Sequence, residues 1–219
     1  INENYEEERF TYSDKIKSLF QEKVAENKTD SFFFGLVNLG KNIEIYNPKS
    51  TRYFEGILSG YDFQDDFFKT ADVLLLSGKY DEALLLLEKN RTANFESEGL
   101  SPEQKVLKIE LAKYVINLYK YNESVLIDNK TDQKTADEIL DLLEKIISKG
   151  EVEPEVYKDY ANTVEITKGF IRSQLYNHER NEQRDFIVKL ITTFNPKFTS
   201  EEITYLLNSL TDIGSFKLN

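Results

Sequence analysis

Phe67-Phe68-Lys69-Thr70-Ala71-Asp72-Val73-Leu74-Leu75-Leu76-Ser77-Gly78-Lys79-Tyr80-Asp81-Glu82-Ala83-Leu84-Leu85-Leu86-Leu87 is the stretch whose reading decides the fold. Phe67, Phe68, Ala71, Leu74 and Leu75 recur at the spacing that puts them on one face of a helix, and Ser77-Gly78 breaks the pattern before a second apolar run begins. Two short helices joined by a tight turn are the expectation. The rest of the chain agrees in kind: nine glycines and four prolines among 219 residues are too few for a turn-rich β architecture, so an all-α fold is predicted. With 40% hydrophobic residues and 13% aromatics, the chain has enough apolar material to bury a substantial core.

The same stretch resembles a tetratricopeptide repeat (TPR). In that family, helix A carries a bulky, a small and a large residue where Phe67, Ala71 and Leu74 stand here, and Gly78, Tyr80, Ala83 and Leu87 match the turn and helix B. Asn90 and Phe95 depart from the pattern, replacing the usual small residue and proline. The best repeat covers residues 64–97. Each such hairpin leaves an apolar face that only neighbouring hairpins cover, so the resemblance implies an α-solenoid of antiparallel helix hairpins, with about nine or ten helices in all.

Degenerate copies are expected on either side. Asp137 to Lys145 echoes Asp81 to Lys89 nearly position by position, and Ser101-Pro102-Glu103-Gln104 is a helix start with an N-cap serine, proline at N1 and glutamine at N3. That start predicts a helix to about Tyr121, a polar insertion from Asn122 to Lys134, and a hairpin over residues 101–149 in which Ile139 replaces the small alanine. A looser hairpin spans 153–195, with Tyr157, Ala161 and Val164 at the helix-A spacing, and a capping helix covers 199–210. Upstream, Ile16 to Val24, Phe32 to Leu39 and Ser50 to Leu58 read as three further apolar segments, closed by polar breakers, Gly40 and Gly60. Residues 1–12 form a loosely ordered lead-in, and 13–219 a single helical domain.

What the resemblance implies about function is a groove lined by helix-A positions that escape the core: Asp65, Phe68, Asp72, Leu75 and Leu76. Chaperone-binding members of the family place lysine and asparagine there to clamp a carboxylate. Phe68 and Asp72 occupy two of those positions, so the implied partner is another protein presenting an apolar or basic segment. Phe68, Leu75 and Leu76 equally suit packing against the segment from 50 to 59, and Tyr114, Tyr119 and Tyr121 suit either a core or an interface.

Other chemistries find little footing. The chain has no cysteine and one histidine, which removes thiolate catalysis, disulfides and most zinc sites. Its formal charge of −11 argues against nucleic acid, and it has no apolar run long enough for a membrane span. Gly35 to Asn42 nearly spells a phosphate-binding loop, but Asn42 stands where a hydroxyl should hold magnesium. Asp128 to Ile139 fails as a calcium loop at Lys130, Gln133 and Ile139. His178 reads as a solvated turn residue, and neighbours such as Asp65-Asp66 and Glu201-Glu202 cannot face each other across a cleft. No catalytic residue, cofactor or metal is expected.

The reading is a non-enzymatic interaction scaffold of a bacterial cell envelope. Bacterial origin is read from the lysine, asparagine, isoleucine and glutamate bias, and an extracytoplasmic, periplasmic or lipoprotein-like setting from the lack of cysteine, with any anchor lying outside this chain and a cytoplasmic setting as the alternative. The alternatives are the ligand- or peptide-sensing half of a helical regulator and an enzyme with an unrecognised helical cleft.

Overall fold

Asp66 opens the first helix as its side chain accepts the backbone N–H groups of Phe68 and Lys69, both at 3.1 Å. The helix, α1 (Phe67–Leu76), ends where Gly78 turns left-handed at φ +70° and the N–H groups of Gly78 and Lys79 bond back to Leu75 and Leu74. The chain then folds back as α2 (Tyr80–Asn90), with Asp81 and Glu82 at its positive N-terminal end. The computed structural model describes residues 41, 66–91, 100–128, 130–148, 154–176, 181–193, 199–201 and 204. Among them are six helices and no strand, as the composition predicts: after α2 come α3 (Pro102–Leu126), α4 (Gln133–Ser148), α5 (Pro154–Tyr176) and α6 (Asn181–Thr193). The three upstream apolar segments and the lead-in lie outside the described residues. In the predicted capping helix, Ser200, Glu201 and Thr204 are helical.

The start of α3 is the capping box read from Ser101 and Gln104: each side chain accepts the other's backbone N–H, at 3.2 and 2.6 Å. Its end differs from expectation. Instead of stopping near Tyr121, α3 runs on to Leu126, because Asn122 and Val125 are drawn into the interior and Asn122 accepts a hydrogen bond of 2.6 Å from Gln174. The predicted polar insertion shrinks accordingly, and Asp132 caps α4 by accepting from the backbone and hydroxyl of Thr135. Burial pushes the Asp132 carboxyl up, but its bonds to Thr135 outweigh this and hold it below the usual range.

Helix α3 is the hub, packing against α1, α2, α4 and α5. Its buried residues are spread around much of its circumference, so it shows no single polar face. Its neighbours' directions follow from their polar pairs. Against α2, Tyr80 meets Glu123, Asp81 meets Lys120, Glu88 meets Lys113 and Arg91 meets Glu110: one partner advances as the other retreats, so the two helices are antiparallel. Lys113, first through its hydrogen bond and then through its charge, holds the Glu88 carboxyl below the usual range. Against α5, Lys108 meets Asp159, Tyr114 meets Thr167 and Asn122 meets Gln174, so both partners advance together and the helices are parallel. Because α1 is antiparallel to α2, and α2 to α3, the helices α1, α3 and α5 all point the same way.

The core between these layers joins Ala71, Ala83 and Leu87 of the first hairpin to Ile139 and Leu143 of α4 and to Ile187 and Leu190 of α6. Tyr114, Tyr119 and Tyr121 belong to it and are fully buried, which settles them as core. Tyr121, Phe170 and Phe186 form an aromatic cluster with ring centroids 4.8 to 6.3 Å apart, tying α3 to α5 and α6. No helix among the described residues is long and apolar enough to cross a membrane.

Candidate functional site

The three parallel helices leave a groove of about 360 Å³ between them, lined by no residue of α2 or α4. Each contributes the same stripe to the lining, to which Phe67 and Lys69 of α1 and Ile116 of α3 add. From α1 come Phe68, Ala71, Asp72 and Leu75; from α3 come Lys108, Leu111, Ala112 and Val115; from α5 come Asp159, Asn162, Thr163 and Ile166. In every case the spacing is i, i+3, i+4, i+7, the set of positions that share one face of a helix. Small residues stand in the middle of each stripe: Ala71, Ala112 and Thr163 keep the floor low, while Leu111, Val115 and Ile166 make much of it apolar.

Charge is distributed in matched pairs around that floor. Lys41, itself helical, reaches in to place its Nζ 2.5 Å from Asp72 Oδ1, and its backbone carbonyl accepts the Tyr119 hydroxyl at 2.8 Å. Lys69 lies 3.5 Å from Asp66, and Lys108 lies 3.5 Å from Asp159 with its Nζ 4.8 Å from the centre of the Phe68 ring. Three lysines thus answer three aspartates, so the acid excess of the chain as a whole is not concentrated here.

Of the residues singled out from sequence, Phe68, Asp72 and Leu75 line the groove together. Leu76 is 0% exposed, is packed into the core and is not among the lining residues. Asp65 lies outside the described residues, as do His178 and the segment from 50 to 59. Sequence reasoning missed Lys41, Lys108, Asp159, Asn162 and Ile166. The signal for the α3 and α5 residues was present as the spacing of Phe68, Ala71, Asp72 and Leu75 repeated downstream; for Lys41 there was none, since its partner is remote in the chain.

The motifs that imitate other chemistries take structural parts. Lys41, the lysine of the near phosphate loop, is 8% exposed and paired with Asp72. Asp132 of the near calcium loop caps a helix, and Ile139 is buried. Among the described residues, no cluster of three or more histidine, cysteine, aspartate or glutamate residues could hold a metal ion. Glu110 is a buried carboxylate at the α2–α3 seam, 3.5 Å from Arg91, and is not among the residues that line the groove. Compared with known proteins, the chain matches no family model, no curated protein and no solved structure.

Proposed function

We propose that this chain is a non-enzymatic protein–protein interaction scaffold built as a TPR-like α-solenoid, which takes up a partner's segment along the groove between α1, α3 and α5. One observation carries this reading: three parallel helices turn the same four-residue stripe toward one groove with a largely apolar floor. Alternate helices lining a shared concave surface are what stacked hairpins produce, and such surfaces serve extended or helical segments of other proteins. In this reading α1–α2, α3–α4 and α5–α6 are successive hairpins, and the upstream segments and the region after 199 extend the stack toward nine or ten helices. The setting, a bacterial cell envelope, rests on composition alone.

The test is crosslinking capture from the native organism with wild type, Phe68→Lys/Asp72→Lys and Ala112→Trp, the last of which fills the groove floor. One partner should be captured by wild type and lost by more than about tenfold in both variants, while circular dichroism shows unchanged helix content. Equal capture by all three forms would place the contact elsewhere on the molecule.

A further inference from the structure

Lys108 sits in an arrangement that proteins use for a ligand's cation. Its ammonium has the face of Phe68 from α1 on one side and the carboxylate of Asp159 from α5 on the other. An aromatic face combined with a carboxylate is the pair of contacts that holds an incoming ammonium or guanidinium group. Here the cation comes from the third helix of the groove itself. The Lys108 side chain is 33% exposed and that of Asp159 43%, so water already competes for both and their mutual attraction contributes little. Lys41, at the neighbouring Asp72, is different: its side chain is 11% exposed and its backbone is bound by Tyr119, so it is held in place.

We propose that Lys108 stands in for a basic side chain of the partner. The bound segment sets an arginine against Phe68 and Asp159 and displaces Lys108 toward solvent, while its flanking apolar residues lie over Leu111, Val115 and Ile166. This rests on the groove reading given above and names the chemistry of the segment that reading requires. Arginine is favoured over lysine because its planar guanidinium stacks on the ring and meets the carboxylate with two parallel hydrogen bonds, neither of which the compact ammonium of Lys108 reproduces. The net charge of −11 draws basic segments toward the molecule at long range, and the paired groove then selects for the position of the cation. Because the site is self-occupied, an apolar segment lacking arginine gains only the floor, and an acidic one pairs with Lys108 only by parting it from Asp159 and gains nothing from the electron-rich face of Phe68.

The experiment measures fluorescence anisotropy with labelled peptides of alternating leucine and alanine carrying a central arginine, lysine, norleucine or glutamate. The proteins are wild type, K108M, K108Q, D159N and F68L, each checked for helix content. Wild type should bind in the order arginine, lysine, norleucine, glutamate. Removing the resident cation in K108M or K108Q should tighten the arginine peptide by about tenfold and leave the norleucine peptide unchanged. D159N and F68L should erase the preference for arginine over norleucine. If the norleucine peptide binds but K108M and K108Q shift all peptides equally or none, Lys108 is only a tie between helices and the inference is overturned while the groove reading stands. If no peptide binds any form, the groove reading itself fails and takes the inference with it. Two substitutions at Lys108 keep the comparison available should one of them unfold.

Discussion

A Cβ added at Gly78 would meet nothing closer than Glu123 Oε2 at 3.8 Å, so space does not explain the glycine. Its φ of +70° does, because a side chain there is strained whatever room surrounds it. Gly78→Ala should therefore cost about 1 kcal/mol and lower the melting temperature by roughly 2–4 °C, with no loss of helix content below the transition. A melt that matches wild type would mean that the turn rearranges freely. Tyr80, two residues on, shows why the turn has a fixed outlet: its hydroxyl donates to Glu123 at 2.6 Å and fastens the start of α2 to the far end of α3. Both residues were legible in sequence as a Gly-x-Tyr turn. So were Phe68, Asp72 and Leu75, as helix-A positions that the repeat resemblance implies for a groove. Lys108 and Asp159 were not read as a pair, since nothing local to either residue says which other helix it meets.

At the scale of elements, the boundary of α3 is the instructive case. Local chemistry set its start, where Ser101 and Gln104 cap each other within one turn. Its end was decided by a partner on α5: Asn122, a residue that favours turns when left to itself, is buried and accepts from Gln174. Truncating Asn122 to alanine leaves the buried Gln174 amide without that acceptor and should cost about 1–3 kcal/mol in urea unfolding. The double variant Asn122→Leu/Gln174→Leu removes both polar groups together and should cost less than the sum of its single variants. Additive losses would show that the two side chains do not act as a unit. The similarity of Asp137–Lys145 to Asp81–Lys89 also needs a structural qualification, because Ile139 and Ala83 are both fully buried although their volumes differ greatly. The α3–α4 pair therefore accommodates a bulk that the α1–α2 pair does not, in line with the replacement of the small alanine by Ile139 in the sequence.

Across the whole molecule, the aromatic cluster of Tyr121, Phe170 and Phe186 binds helices that lie far apart in sequence. Phe170 is fully buried within it, so Phe170→Ala should cost about 3–5 kcal/mol and raise amide exchange together in α3, α5 and α6. Exchange confined to α5 would instead indicate that the helices open independently. That the chain is helical, the cap at Ser101, the turn at Gly78 and which face of α1 is apolar all follow from interactions within a few residues, and these were readable in the sequence. The common direction of α1, α3 and α5, the register that aligns their stripes, and the Lys41–Asp72 and Lys108–Asp159 pairs at the groove depend on contacts between residues remote in the chain. Those contacts exist only once α3 is buried among its neighbours, because burial is a property of the assembled helices and not of any one of them.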